Sequence, residues 1–334
     1  MALRTRLTER LGIEHPIVLA PMGSAAGGKL AAAVTAAGGL GLIGGGYGDP
    51  EWLEREFAEA GNARIGCGFI TWSLARKPHL LDHVLGRSPA AIMLSFGSPL
   101  PFAQRIKACG ALLICQVQTM AHVREALEAG ADIIVAQGAE AGGHGVARAT
   151  LTLVPEIADH LARRAAKTLL LAAGGIADGR GVAAALMLGA DGALMGSRFW
   201  ASNEALVPAS FQAAAVAAQG DDTIRTTVVD VVRKIEWPLP FTARVLRTRF
   251  TAQWHGREAA LAEPAVIERE MENYFDAARR GDVEHTGVFV GEAAGLIKDI
   301  RPAGDIVRQV AHEAEELLGT GARFLSAARQ RARD

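Results

Sequence analysis

The sequence has few cysteines. Only three occur among the 334 residues, and Cys67, Cys109 and Cys115 have neither a paired nor a metal-ligand spacing. This excludes a disulfide framework, and we expect no bound metal because no cluster of His, Cys and carboxylate residues has ligand spacing. Free thiols suit a reducing compartment, so we expect a cytoplasmic protein.

An excess of one charge is also absent. Lys and Arg total 35, Asp and Glu total 36, and the formal net charge is −1. Without a basic field that could neutralise many phosphates, nucleic acid is not an expected partner. No apolar run reaches the roughly 18–20 residues of a membrane span, and residues 1–12 lack the apolar stretch of a signal peptide. We therefore expect no association with a membrane.

Short apolar runs alternate with Ala-rich helical stretches over residues 17–195. The runs are too short for helices and are bounded by turn residues, so we interpret them as buried parallel strands. Their regular spacing favours a (β/α)8 TIM barrel over a doubly wound sheet. A longer gap marks the loop after the sixth strand as unusual. The eight predicted strands cover residues 17–20, 40–43, 64–69, 91–94, 112–116, 132–136, 168–172 and 192–195.

The pattern changes beyond the eighth strand, where Ala-rich and charged helical stretches prevail. We predict a barrel over residues 1–210, a smaller and mostly helical domain over 211–285 that covers the barrel mouth, and a C-terminal segment, 286–334, that packs back on the barrel. Within the second domain, residues 226–233 are predicted to be β-like. Within the last segment, residues 306–325 are predicted to form a charged amphipathic helix.

Two glycine-rich loops directly follow the seventh and eighth predicted strands. They read Ala173-Gly174-Gly175 and Met195-Gly196-Ser197. Backbone N–H groups of such loops can bind a phosphate, because glycine has no Cβ to keep the ligand away. In TIM barrels these two loops frequently form one phosphate site. We therefore predict a phosphate site here, in preference to two ordinary tight turns.

The loop after the sixth strand carries one histidine among glycines, in the segment QGAEAGGHG (137–145). Imidazole is the usual proton-transfer group near neutral pH, and flanking glycines such as Gly142 let a planar ligand approach the backbone. We therefore predict that His144 is catalytic. The other histidines have no comparable setting and are interpreted as structural.

Other candidate site residues each support two interpretations. The Pro21-Met22-Gly23 turn after the first strand can lay backbone against a flat ring or be a plain turn. Gln116 and Gln137, at the ends of the fifth and sixth strands, can hydrogen-bond the edge of a heterocycle or satisfy backbone groups at the rim. The pair Arg233-Lys234 is interpreted as a solvated charge pair, with contact to an anionic substrate as the alternative.

Five segments in order along the chain resemble the nitronate monooxygenase family, formerly called 2-nitropropane dioxygenases. They are PIVLAPMG (16–23), AGGLGLIG (37–44), VAQGAEAGGHG (135–145), LLLAAGGIADGRG (169–181) and GALMGSRFWAS (192–202). The wider family also includes flavin-dependent enoyl-ACP reductases and NADH:quinone reductases. The resemblance therefore identifies the fold and the cofactor better than the substrate.

The resemblance implies FMN bound at the mouth of a TIM barrel, with His144 as the catalytic base. The matching motifs assign the flavin contacts to Pro21, Met22 and Gly23 beside the ring, to Gln116, Gln137 and Gly142 along the ring or ribityl chain, and to Ala173, Gly174, Gly175, Gly196 and Ser197 at the phosphate. One segment departs from the family pattern. Many relatives carry Asn in a GVN segment after the third strand, whereas this chain has Gly66-Cys67-Gly68-Phe69, which leaves open what replaces that flavin contact.

The function that the resemblance favours is FMN-dependent oxidation of alkyl nitronates by O₂ to a carbonyl compound and nitrite. The alternative is an NAD(P)H-dependent flavin reductase of quinones or enoyl thioesters. A third class is a flavin- or phosphate-binding barrel without redox turnover, such as an isomerase or a binding protein.

Overall fold

The computed structural model describes residues 3–321, so the end of the predicted helix 306–325 lies outside the described residues. Eleven strands occur in this range: β1 (Ile17–Leu19), β2 (Leu42–Gly46), β3 (Gly66–Ile70), β4 (Ala91–Ser95), β5 (Leu112–Val117), β6 (Ile133–Gln137), β7 (Gly143–Gly145), β8 (Leu169–Ala173), β9 (Gly192–Met195), β10 (Thr223–Thr226) and β11 (Thr242–Leu246).

Sixteen α-helices occur in the same range, and none of them is both long and apolar enough to cross a membrane. They are α1 (Arg6–Leu11), α2 (Gly28–Ala36), α3 (Pro50–Ala60), α4 (Thr71–Leu74), α5 (His79–Leu85), α6 (Leu100–Ala108), α7 (Met120–Glu128), α8 (Thr150–Arg164), α9 (Gly179–Met187), α10 (Ser197–Trp200), α11 (Ala209–Ala217), α12 (Val228–Val231), α13 (Arg249–Trp254), α14 (Glu258–Leu261), α15 (Pro264–Arg280) and α16 (Ala303–Gly319).

Eight parallel strands form a closed barrel, which confirms the predicted TIM-barrel fold. In spatial order they run β1, β9, β8, β6, β5, β4, β3 and β2, and a parallel bridge between Val18 and Leu40 joins the two ends of the sheet. Each predicted strand overlaps one of these eight. The long connection from β6 to β8 contains the extra strand β7 and the 15-residue helix α8.

Aliphatic side chains fill the barrel interior, so it is a packed core rather than a pore. Leu7 and Leu11 of α1 join this inner cluster, and Arg6 of the same helix contacts Asp191, just before β9, at 2.7 Å. Helix α1 therefore closes the barrel at the amino ends of its strands. A ligand site is left to the carboxyl ends, where TIM barrels hold their active sites.

A second, three-stranded sheet ties the loop after β6 to a later part of the chain. Its order is β10, β11, β7, and both pairings are antiparallel. In this register His144 lies opposite Ala243. The loop that carries His144 is thus held by backbone hydrogen bonds to β11 as well as by the barrel.

The segment 226–233 is not the continuous strand that we predicted. Strand β10 ends at Thr226, and a turn later the chain forms the short helix α12. Val228 and Val229 of α12 and the adjacent Val232 are fully buried in a cluster with residues of α13, α14 and α15, so tertiary packing overrides the β propensity of the valine run. The predicted domain boundaries at residues 210 and 285 stay a prediction.

Helix α16 packs against α9 and α2. One face of α16 is apolar and buried in the layer between the barrel strands and their helices, through Ala303, Ile306, Val307, Val310, Ala311 and Ala314. The described C-terminal part of the chain therefore lies on the outside of the barrel, beside its first and last helical layers.

Candidate active site

A cavity of about 520 Å³ opens at the carboxyl ends of the barrel strands. Twelve of the thirteen predicted site residues line it: Pro21, Met22, Gly23, Gln116, Gln137, Gly142, His144, Ala173, Gly174, Gly175, Gly196 and Ser197. The thirteenth, Met195, does not line the cavity, because its side chain is buried between the barrel and the helices. The cofactor contacts of these residues stay predictions.

Twelve glycines line the cavity, for two different reasons. At Gly44 an added Cβ would lie 2.2 Å from the carbonyl oxygen of Met22, so protein packing alone requires glycine there. At Gly23 and Gly196 an added Cβ would meet no heavy atom closer than 3.4 Å. Glycine at these two positions instead exposes backbone to the cavity, which suits a ligand that lies against the main chain.

The third-strand segment that departs from the family pattern also follows from packing. A Cβ built on Gly68 would lie 2.3 Å from the ring of Pro21. A side chain therefore has no room at Gly68, and the preceding residue, Cys67, is fully buried. Burial raises the pKa of the Cys67 thiol to about 12, so this thiol stays protonated and inert.

The loops after β8 and β9 offer hydrogen-bond donors at one end of the cavity. Ser197 Oγ accepts a hydrogen bond from the N–H of Gly291 at 2.9 Å, which leaves its own O–H free to donate. Gly174 and Gly175 have φ values of +98° and +75°, which favour glycine. At the start of α9, by contrast, the Asp178 carboxylate already accepts two amide N–H groups. An anion would therefore find its donors in the two loops and not at the start of α9.

The segment 290–292 braces the loop after β6 and the loop after β9 through hydrogen bonds. Besides the bond from Gly291 to Ser197, the N–H of Glu292 donates to the carbonyl of Glu140 at 2.9 Å. A Cβ on Gly142 would lie 2.6 Å from the amide nitrogen of Gly291. The loop after β6 and the loop after β9 are therefore held together by a late part of the chain.

Three glutamine side chains hold the loop after β6 in place through hydrogen bonds. Gln137 Oε1 accepts hydrogen bonds from Nε2 of Gln116 at 3.1 Å and of Gln118 at 2.8 Å. Gln137 Nε2 donates to the backbone carbonyl of His144 at 3.1 Å. The Gln137 amide is thus engaged in positioning the loop, whereas Gln116 keeps its side-chain oxygen for a ligand.

His144 lines the cavity and contacts a carboxylate. Its Nε2 lies 2.9 Å from one oxygen of Asp230, and the two side chains are only 8% and 5% exposed. The other oxygen of Asp230 accepts a hydrogen bond from Nη2 of Arg233 at 2.7 Å. The negative charge of Asp230 is therefore held between two donors.

This arrangement decides which nitrogen of His144 can act as a base. A carboxylate only accepts hydrogen bonds, so Nε2 carries the proton and Nδ1 keeps its lone pair in the neutral ring. Burial lowers the pKa of His144 below its usual value, while the hydrogen bond and charge of Asp230 act in the opposite direction. At neutral pH the imidazole is therefore unprotonated at Nδ1 and able to accept a proton.

Aromatic side chains enclose the space around His144. The Trp237 ring stacks on the imidazole, with centroids 3.4 Å apart and planes inclined by 9°, and Phe96 approaches edge-on with centroids 6.3 Å apart. Phe96 has a φ of +64°, a strained backbone of the kind that clusters at functional sites. The stacked Trp237 ring covers one face of the imidazole, and low local polarity strengthens the interaction of His144 with Asp230.

The sequence does not single out Asp230 or Trp237 as site residues, and it offers Arg233 only as an alternative contact to an anionic substrate. The available signal for Asp230 is a lone carboxylate in the valine run VVDVV, since a charge there must find a partner. The interpretation of Arg233 as a solvated charge is wrong, because its side chain lines the cavity and is only 16% exposed against Asp230. Lys234 does form an exposed ion pair.

Known proteins are similar to this chain in sequence and in fold. The profile of the nitronate monooxygenase family matches residues 4–64 and 73–313. The chain belongs to this family. The nitronate monooxygenase family consists of flavin-dependent oxidoreductases, so the chain is an enzyme of that class.

Relatives matched over nearly their whole length have different names. A nitronate monooxygenase of Neurospora crassa is 33% identical, over 91% of this chain and 90% of its own length. A (3aS,4S,5R,7aS)-5-hydroxy-7a-methyl-1-oxo-octahydro-1H-indene-4-carboxyl-CoA dehydrogenase of Rhodococcus jostii is 33% identical, over 93% and 96%. The structure of FabK from Thermotoga maritima superposes with a TM-score of 0.84 at 32% identity, covering 97% of this chain and all of that one.

We predict that replacing Asp230 with Asn lowers the pKa of His144 further. The reason is that the Asp230 hydrogen bond and charge oppose the effect of burial on this imidazole. NMR titration of the histidine signals in both proteins would measure the shift. The matched control is Asp282→Asn, which removes a carboxylate beside the exposed His285 and should leave the His144 titration unchanged. An unchanged or higher pKa of His144 in Asp230→Asn would contradict the arrangement.

Proposed function

We propose that the cavity binds FMN, with its phosphate at the loops after β8 and β9 and its ring against the Pro21-Met22-Gly23 turn. The backbone exposed at Gly23 and Gly196 supports this, because a flat ring and a phosphate both need close approach. The donor set fits as well: the Ser197 hydroxyl can donate to a phosphate, and the side-chain oxygen of Gln116 can accept from a heterocycle.

The reaction that we propose is oxidation of alkyl nitronates by O₂ to a carbonyl compound and nitrite. Bound FMN would supply the electron transfer and the reactivity towards O₂. The contribution of the chain is a base: Nδ1 of His144 can take the α-proton of a neutral nitroalkane, which becomes the nitronate, while Asp230 stabilises the imidazolium that results. The buried pair of His144 and Asp230 at the cavity wall is the observation that carries this proposal.

The rest of the cavity wall suits a substrate with an apolar tail. Phe96, Trp237 and Phe289 line the cavity beside His144. Arg233 and Asp230 neutralise each other, so a small anion can enter without meeting a net negative charge. The name of the Neurospora crassa relative is consistent with a nitronate as that anion.

A second candidate function is NAD(P)H-dependent reduction of a quinone or an enoyl thioester. The Rhodococcus jostii relative is named for a reaction on a CoA thioester, and this observation favours the thioester. Both candidates use the same cavity and cofactor. They differ in the compound that gives electrons to the flavin.

We predict that a nitronate, and not NADH, is the fast electron donor. When the flavin-loaded enzyme is mixed with propyl nitronate without oxygen, the absorbance of oxidised flavin should fall within seconds, whereas NADH should act far more slowly. Stopped-flow absorbance measures both rates. If NADH reduces the flavin rapidly and the nitronate does not reduce it, the result would favour the second candidate function.

We predict that a carboxylate at position 196 weakens FMN binding. In Gly196→Asp the side chain would extend into the cavity beside the proposed phosphate, and two like charges repel strongly where water is excluded. Gly196→Asn has the same size without the charge and is the matched control. We expect FMN to bind Gly196→Asp at least about tenfold more weakly than Gly196→Asn, a difference of about 1.4 kcal/mol.

Titration of flavin-free protein with FMN, followed by flavin fluorescence, gives both dissociation constants. Circular dichroism checks that each variant is folded. Equal affinities of the Asp and Asn variants would place the phosphate elsewhere.

We predict that His144→Asn separates neutral nitroalkanes from preformed nitronates. Because a general base contributes about 10²–10⁴-fold to a step that needs proton transfer, the variant should lose activity on nitroethane by about that factor. Its loss on ethyl nitronate should be much smaller, since that substrate has no proton to give up. Assays of flavin-saturated variant with each substrate make the comparison.

The pH profile provides a second measure of the same role. The lowered pKa of His144 means that the base form exists at neutral pH, so the wild-type rate on nitroethane should rise from acid pH with a midpoint below 6.5 and then stay level. Equal losses of His144→Asn on both substrates would refute proton abstraction by this residue.

A further inference from the structure

Tyr47 follows β2 directly, at the carboxyl end of a barrel strand, and lines the same cavity as His144. Its hydroxyl oxygen accepts a hydrogen bond from Nε1 of Trp237 at 2.9 Å. The indole N–H can only donate. Tyr47 therefore acts as the acceptor in this contact.

The hydroxyl proton of Tyr47 has no hydrogen-bond acceptor in the described part of the protein. A phenol has one O–H and two lone pairs, and the Trp237 N–H uses one lone pair and leaves the O–H unengaged. Among residues 3–321, no acceptor for this O–H is present. An orientation away from the Trp237 donor directs the proton to the cavity that Tyr47 lines.

We propose that the Tyr47 hydroxyl donates a hydrogen bond to a negatively charged oxygen of the substrate. This inference rests on the proposed function only for the identity of the anion: in a nitronate the charge lies on the two oxygens of the nitrogen. With one of these oxygens on Tyr47, the neighbouring carbon could face His144. Tyr47 is then a catalytic residue that binds and orients the substrate.

Two properties of the surroundings make Tyr47 a suitable donor. Its ring is fixed by edge contacts with Trp72 and Trp237, at centroid distances of 6.0 and 6.3 Å, so the donor is held in place before substrate arrives. Burial raises the pKa of Tyr47 above its usual value of 10.0, so the hydroxyl keeps its proton throughout the neutral range. A neutral donor beside Arg233 and Asp230 adds no charge to the cavity.

The test uses Tyr47→Phe, which removes the hydroxyl and keeps the ring. The probe is butanoate, in which a carboxylate carbon replaces the nitronate nitrogen of propyl nitronate; its binding to the flavin-loaded enzyme is measured by calorimetry. A hydrogen bond to a charged group is stronger than one between neutral groups, so the dissociation constant should rise about 10- to 100-fold. The kcat/KM for the nitronate should fall by a similar factor.

Two control variants separate a donor from a merely structural residue. Tyr274→Phe alters the other tyrosine of the chain, which is buried against α13 and does not line the cavity, and it should bind butanoate like the wild type. Trp237→Phe removes the indole N–H but leaves the Tyr47 hydroxyl. If Tyr47 served only to anchor Trp237, the Trp237→Phe and Tyr47→Phe variants would lose the same affinity, and that result would overturn the proposal.

The remaining outcomes also decide. Unchanged butanoate affinity in Tyr47→Phe, or no measurable binding of butanoate to the wild type, would overturn the assignment of Tyr47. If the wild type fails to oxidise nitronates while Tyr47→Phe still weakens butanoate binding, the proposed function is wrong. The assignment of Tyr47 as a hydrogen-bond donor to an anion is then still supported. If wild type and Tyr47→Phe oxidise nitronates equally well, Tyr47 is not a donor to the substrate. The proposed function would be unaffected by that result.

Discussion

The hydrogen bond between His144 and Asp230 is the contact on which the rest of the site depends. It joins two residues 86 positions apart in the sequence, one on the loop after β6 and one on α12. A buried carboxylate is tolerated only where its hydrogen-bonding capacity is met, and losing one partner leaves an uncompensated charge. Arg233 and His144 meet that need together, and the pairing of β7 with β11 holds the loop at the distance the contact requires. One interaction therefore links the position of the loop after β6 relative to α12 with the protonation state of His144.

The cavity has two chemically different ends. Glycines and loop amides form one end, where ligand and backbone can touch, and aromatic rings around His144 form the other. His144 lies at the boundary between the two ends, on β7, where a glycine precedes it and another follows it. In the proposed function, this division assigns the cofactor and the substrate to different parts of the chain, so changes in the aromatic wall would alter substrate binding without disturbing the cofactor.

Much of this could be predicted from the sequence, because the barrel strands and their loops are local features. Gly130 and Gly189 have φ values of +72° and +94° just beyond α7 and α9, so a glycine in the sequence marks the end of each helix. His144 and the two glycine loops could be found because they directly follow strands.

Features that depend on distant contacts could not be predicted. Asp230 becomes part of the site only because α12 packs as a helix, and the valine run around it predicts a strand. The motif predicts that Met195 is a residue of the cofactor site. Side chains alternate along a strand, so Met195 points out of the barrel while Leu194 lines the cavity.

The brace formed by residues 290–292 has a consequence for the order in which the enzyme is made. All eight barrel strands precede residue 196, and domains generally begin to fold while the chain is still being synthesised from its amino end. A nascent chain can thus pair its strands long before Gly291 and Glu292 emerge to join the loops at Ser197 and Glu140. These contacts at the barrel mouth can form only when the polypeptide is nearly finished, and a chain released early would carry the barrel without them.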